Sequence, residues 1–111
     1  MADVALAARS SRRYTEDEIT TLSPVELVVK VLDGAVAACD RKDRQRASRC
    51  VVTLISALNF DYREMAAALY RLYEYSLSCV RRGDFAAARE VLHGLREAWA
   101  QAAAQPVSTG E

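Results

Sequence analysis

The feature that most constrains the fold is a regular spacing of apolar residues in the last third of the chain. The residues at this spacing step by three and four positions in turn, and they are Phe85, Ala88, Leu92, Leu95, Trp99 and Ala102. Such a seam is typical of a helix packed in a helical bundle. It predicts a helix from Phe85 to about Ala104. Gly94 lies inside this helix. It either marks a place where another backbone comes close or is a tolerated irregularity.

Three further helices are predicted upstream. Apolar periodicity places them at about Pro24 to Asp40, Arg44 to Leu58 and Tyr62 to Arg82. In the third, we expect one buried stripe of Met65, Leu69, Leu72, Ser76 and Cys79 or Val80, and a second one of Tyr70, Tyr73 and Leu77. Gly83 suits the end of that helix and Asp84 the start of the next. The short turn predicts that the last two helices are antiparallel neighbours.

The first helix has an unusually strong start signal in "TLSPVEL". Ser23 and Glu26 have the spacing of a capping box, and Pro24 suits the first helical position. Leu22 and Leu27 fall at the two positions of a hydrophobic staple, which sets the direction of the preceding chain. The staple therefore aims the N-terminal residues at a defined place.

Composition agrees with one all-α domain, an antiparallel four-helix bundle. The chain has 111 residues, only two prolines and four glycines, and a formal net charge of zero. We expect a mobile N-terminal tail at 1–20, the bundle at 21–105 and a disordered tail at 106–111. Zero charge argues against a nucleic-acid partner, which needs a basic surface.

The sequence carries no motif for catalysis, a metal or a cofactor, and we expect none of the three. His93 is the single histidine and has no thiol or carboxylate pattern around it. Cys39, Cys50 and Cys79 lack metal-ligand spacing and are interpreted as buried thiols in a reducing cytoplasm. The charged stretch at 40–46 is interpreted as a solvated turn, with a phosphate-binding patch as the alternative. No secretory signal or membrane-spanning segment is expected.

Two features suggest a surface that binds another protein. The first helix is apolar over most of its circumference, so it is either central in the bundle or lines a groove. Tyr70, Tyr73 and Tyr75 crowd the third helix, and tyrosine is enriched where proteins bind each other. From the residues alone, a binding surface and a simple core are equally supported.

Several short motifs resemble, in order and spacing, those of the FliS-type flagellar export chaperones, which bind flagellin. Tyr14 precedes "TTLSPVEL", which is similar to the family's "TASP" helix start, and "VLDGA" at 31–35 follows where the family has "LYDGA". "LYRLYEYS" at 69–76 and "LREAW" at 95–99 resemble "LYxLYxYM" and "LRxAW". The similarity covers most of 14–104, with a shorter region between the first two helices, so the chain resembles a divergent member.

The resemblance implies a four-helix bundle in the cytoplasm that holds the C-terminal segment of flagellin, prevents premature polymerisation and assists export. Other flagellar export or regulatory proteins are further candidate partners. The implied cargo-binding or lid residues are Tyr14, Ile19, Leu22, Leu27, Val31, Leu32, Tyr70, Tyr73 and Leu77. Tyr14 and Ile19 would cover an apolar groove until cargo arrives. The alternative is a structural module without cargo that forms a homodimer through the first helix.

Overall fold

The computed structural model describes residues 22–104, which form four α-helices joined by short connections. The helices are α1 (Pro24–Asp40), α2 (Arg44–Ser56), α3 (Arg63–Arg81) and α4 (Phe85–Ala104). Each helix packs against two others, in the cyclic order α1, α2, α3, α4 and back to α1. The all-α class and the four-helix bundle are therefore confirmed. The tails predicted at 1–20 and 106–111 lie outside the described residues.

The start of α1 is the capping box that the sequence predicts. The backbone N–H of Glu26 donates to the Ser23 hydroxyl at 3.1 Å, and the Ser23 N–H donates to the Glu26 carboxylate at 2.8 Å. Pro24 occupies the first helical position. Leu22 and Leu27 are both half-buried, and their contact as a staple stays a prediction.

The turn after α1 and the turn after α3 have the same backbone design. Lys42 has φ 58° and Gly83 has φ 81°, so both residues adopt the left-handed conformation that ends a helix. In each turn the next residue, Asp43 or Asp84, donates its N–H to a carbonyl five residues back at 2.8 Å. The same aspartate then accepts from an N–H in the first turn of the following helix, at 3.1 Å and 3.2 Å respectively. Both turns therefore reverse the chain within three residues and make the flanking helices antiparallel.

Ion pairs set the register between α1 and α4. Arg96 Nε donates to Asp33 at 2.6 Å, and Arg89 Nε donates to Asp40 at 2.7 Å. The aspartates are seven residues apart on α1, and the arginines are seven residues apart in the opposite direction on α4. This correspondence shows that the two helices run antiparallel along their contact.

The core differs from the predicted one on α3. Met65 and Leu72 were expected in the buried stripe, yet they are 61% and 42% exposed. The buried positions of α3 are instead Ala66, Tyr73, Ser76, Leu77, Cys79 and Val80. Met65 and Leu72 each precede a buried residue, Ala66 and Tyr73 respectively, so they lie about 100° around the helix from these two buried side chains. Three helix limits also differ by one or two residues, because α2 ends at Ser56 and α3 runs from Arg63 to Arg81.

Within residues 22–104, no helix combines the length and the apolar character that crossing a membrane requires.

Candidate functional site

An apolar pocket opens at one end of the bundle and is the candidate binding site. Its volume is about 470 Å³. Its walls come from the start of α1, the end of α2, the connection after α2, the first half of α3 and the last turns of α4. The lining residues are Pro24, Val25, Val28, Leu54, Ala57, Leu58, Asn59, Tyr62, Met65, Ala66, Leu69, Tyr73 and Trp99. Only a few of these carry a polar side-chain group, so the pocket suits an apolar ligand surface.

The pocket exists because α2 is the shortest helix. It has 13 residues, whereas α3 has 19. At about 1.5 Å per residue, α2 is roughly 9 Å shorter than its neighbour. The connection at 57–62 spans this gap as an irregular segment, which fills less volume than further helical turns would. An unfilled apolar space therefore remains between the ends of α2 and α3.

Tyr73 and Trp99 form the inner wall. Tyr73 is 2% exposed, and its hydroxyl oxygen accepts a hydrogen bond from the indole N–H of Trp99. Burial raises the pKa of Tyr73 to about 12, although the Trp99 hydrogen bond acts in the lowering direction. The phenol is therefore neutral at physiological pH and keeps its proton as a hydrogen-bond donor.

The rim of the pocket carries large apolar side chains in contact with water. Tyr62 is 66% exposed and Met65 is 61% exposed. Phe60, in the same connection as Tyr62, is 57% exposed. Clustered exposed groups of this size, next to an apolar pocket, are typical of a surface that binds a partner. We call Tyr62, Met65 and the adjacent Phe60 the aromatic rim; Phe60 is not itself a lining residue, and Met65 is the non-aromatic member.

The structure brings few of the residues predicted for cargo binding to this pocket. Among those described, only Tyr73 lines it. Val31, Leu32 and Leu77 are buried in the core beside it, and Leu22 and Leu27 are half-buried. Val31 and Leu32 are 1% and 0% exposed, so in this conformation they offer no surface to a partner.

The predicted tyrosine cluster is divided between the core and the surface. Tyr73 points inward, whereas Tyr70 and Tyr75 are 41% and 48% exposed. The Tyr70 hydroxyl donates to the Glu74 carboxylate at 2.8 Å, and this bond raises the pKa of Tyr70. Tyr14 and Ile19 lie outside the described residues.

Sequence reasoning missed the connection after α2, which supplies Leu58, Asn59 and Tyr62 to the pocket. A signal was present in "NFDY", where two aromatic residues stand in a non-helical connection. Without a helix face to bury them, such residues indicate an exposed apolar surface. Met65 was assigned to the core from its helical spacing. Spacing identifies a helix face, but it does not tell how far the neighbouring helix extends.

The single histidine and the three cysteines do not line the pocket. His93 is exposed, and its Nε2 lies 3.9 Å from the Glu97 carboxylate. Among residues 22–104, no three histidine, cysteine or acidic side chains are grouped to hold a metal ion. The cysteines are free and buried. Burial raises the pKa of Cys39 to about 11 and also raises that of Cys50, which disfavours their reactive thiolate forms.

Comparison of the chain with protein-family models, with curated proteins and with solved structures gives no match.

Proposed function

We propose that the chain binds an amphipathic helical segment of another protein in the end pocket. The observation that carries this proposal is the open apolar pocket of about 470 Å³ bordered by the aromatic rim. An amphipathic helix inserts apolar side chains into such a groove and keeps its polar face in water. Exposed aromatic residues and methionine around the opening add contact area and adapt to the shape of the ligand.

The partner we propose is the C-terminal segment of flagellin, with the chain acting as its export chaperone in the cytoplasm. The resemblance of "TTLSPVEL", "VLDGA", "LYRLYEYS" and "LREAW" to FliS-type motifs supports this choice. A segment that stays unfolded before export exposes apolar residues, and a chaperone covers them by coupled folding and binding. The end pocket offers the surface for this task.

The N-terminal residues are proposed to compete with cargo for the same pocket. Leu22 is two residues from Pro24 and three from Val25, which line the pocket. Ile19 precedes Pro24 by five residues, and five extended residues reach at most about 18 Å. Ile19 is therefore close enough along the chain to reach the opening, and Tyr14 precedes it by five residues.

The alternative, a homodimer through α1, has less support. α1 packs against both α2 and α4, and none of the large exposed apolar residues within 22–104 lies on it. A dimer through α1 would bury mainly polar or already covered side chains, which contributes little hydrophobic stabilisation.

Titration calorimetry of the full chain with a synthetic flagellin C-terminal peptide tests the proposed function. The test variant is Met65→Glu, which places a charge on the rim of the pocket. Its matched control is Leu72→Glu, an exposed apolar residue two turns further along α3 that does not line the pocket. We expect one-to-one binding by the wild type, at least about tenfold weaker binding by Met65→Glu and little change for the control. Equal affinities for both variants would reject the pocket as the binding site.

A further inference from the structure

The end of the bundle opposite the pocket carries an excess of basic side chains. α1 leads from the pocket residue Pro24 to the turn at 41–43, and α4 leads from the turn at 82–84 to the pocket residue Trp99. Within six residues of either turn, at 35–49 and 76–90, the chain has eight basic and four acidic residues. The rest of residues 22–104 has four basic and six acidic residues. Charge is therefore separated along the bundle, although the formal net charge of the whole chain is zero.

The two turns lie against each other, so their basic residues belong to one surface. A Cβ atom placed on Gly83 would be 3.2 Å from the Arg44 guanidinium, so the Arg44 side chain extends from the first turn to the second. The Arg89 Nε donates to Asp40 at 2.7 Å and joins the end of α1 to the start of α4. Segments that are about 40 residues apart in the sequence thus contribute charge to the same end of the bundle.

The acidic side chains at this end leave part of the positive charge unpaired. Asp43 and Asp84 accept from backbone N–H groups in the first turns of α2 and α4. Asp40 is paired with Arg89. Four basic residues at or next to the turns are exposed and form no ion pair with residues 22–104. They are Arg41, Lys42, Arg44 and Arg81, which we call the basic end. Like charges this close repel one another, and a bound anion relieves the repulsion.

We infer that the basic end binds an acidic segment of a second protein, at a site separate from the end pocket. Guanidinium groups bind carboxylates through paired, charge-assisted hydrogen bonds, and clusters of arginine recognise acidic peptide motifs. α1 has 17 residues and joins the two sites, so they lie roughly 25 Å apart at about 1.5 Å per residue. An acidic segment at the basic end and an apolar ligand in the pocket are therefore bound without contact between them.

Nucleic acid is a less suitable anion for this surface. Proteins that bind single strands combine basic groups with exposed aromatic side chains on which the bases stack. Phe85 is the single aromatic residue at 35–49 and 76–90, and it is half-buried against the core. The exposed aromatic residues Phe60 and Tyr62 belong to the other end of the bundle. Basic groups without a stacking surface favour carboxylate side chains over bases.

Fluorescence anisotropy of the full chain with a labelled oligoglutamate peptide at low salt tests the inference. The test variant is Arg44→Glu and the matched control is Arg63→Glu. Both residues are exposed arginines at the first position of a helix, and both substitutions change the net charge equally. Only Arg44 belongs to the basic end. A glutamate in the first turn complements the helix dipole, so neither variant should lose stability.

We expect the wild type to bind oligoglutamate and not an oligoglutamine peptide of the same length. Arg44→Glu should bind oligoglutamate about fivefold more weakly, and Arg63→Glu should bind like the wild type. Met65→Glu should also bind like the wild type, because its added charge lies at the pocket end, well beyond the Debye length.

Three results would overturn the inference. No binding of oligoglutamate, or equal losses for Arg44→Glu and Arg63→Glu, would mean that the basic end forms no site. A loss for Met65→Glu would place the acidic peptide at the pocket. Tighter binding of single-stranded oligouridylate than of oligoglutamate would assign the surface to RNA. None of these measurements uses the flagellin peptide, so the inference and the proposed function are tested independently.

Discussion

Glycine has opposite effects on stability at positions Gly94 and Gly83. Gly94 lies inside α4, and a Cβ atom added there meets no atom of residues 22–104 within 4 Å. Within these residues, the close backbone approach considered from the sequence is not found. Gly83 has φ 81°, and its added Cβ would lie 3.2 Å from the Arg44 guanidinium. Its conformation and its neighbour both disfavour a side chain.

We expect Gly94→Ala to stabilise the protein by about 1 kcal/mol, because alanine removes the conformational freedom of an exposed helical glycine. Gly83→Ala should destabilise it by about 1 kcal/mol or more, because the left-handed conformation penalises a Cβ atom. Urea denaturation of the two variants measures both changes in the free energy of unfolding. A loss of stability in Gly94→Ala would mean that another part of the chain contacts this face of α4.

At the scale of the element, α1 depends on its capping box. Ser23 and Glu26 satisfy two donors reciprocally at 3.1 Å and 2.8 Å. Ser23→Ala should therefore lower the free energy of unfolding by about 1 kcal/mol. Ser56→Ala is the control, because Ser56 is an exposed serine whose hydroxyl only donates within its own helix to the Val52 carbonyl. An equal denaturation midpoint for both variants would contradict the expected role of the cap.

The α1–α4 interface carries two ion pairs of similar length and different exposure. The side chains of Arg96 and Asp33 are 34% and 33% exposed, while those of Arg89 and Asp40 are 43% and 52% exposed. Asp33 also raises the pKa of Arg96 by hydrogen bonding and charge. Since water screens the second pair more, its contribution should be smaller.

Double-mutant cycles to alanine measure the coupling free energy of each pair. We expect roughly 0.5–1 kcal/mol for Asp33–Arg96 and about 0.3 kcal/mol for Asp40–Arg89. Both couplings should decrease at 1 M salt, with a larger fractional loss for the exposed pair. Equal couplings would show that exposure does not control the strength of these pairs.

At the scale of the whole molecule, local signals predicted the helices better than the pocket. The limits of α1 and α4 and the role of Gly83 followed from cap residues and apolar spacing, which act within one turn. The pocket depends on the difference in length between α2 and α3, which is a relation between distant segments. For the same reason, helical spacing alone placed Met65 and Leu72 in the core, although both are exposed in the structure. Trp99, placed in the apolar seam of α4, is half-buried at the pocket wall.

The buried acids of the core predict how the stability of the whole molecule changes at high pH. Burial raises the pKa of Tyr73 from its ordinary value of 10.0 to about 12, and that of Cys39 from 9.0 to about 11. Burial also raises the pKa of Cys50. In each case the folded protein keeps a proton that the unfolded chain releases. The stabilisation is complete below the unfolded pKa and is lost as the pH rises through the folded one.

We therefore expect the free energy of unfolding to fall from about pH 9, first through the thiols and then through Tyr73. A shift of this size at Tyr73 corresponds to roughly 2–3 kcal/mol lost between about pH 10 and pH 12.

Urea denaturation at several pH values measures the decline. Tyr73→Phe should flatten the part between pH 10 and 12, and Cys39→Ala the part between pH 9 and 11. The exposed Tyr70→Phe variant should follow the wild type more closely, because burial contributes little to the pKa of Tyr70. If Tyr73→Phe shows the same decline as the wild type above pH 10, the Tyr73 hydroxyl is not buried as the structure places it.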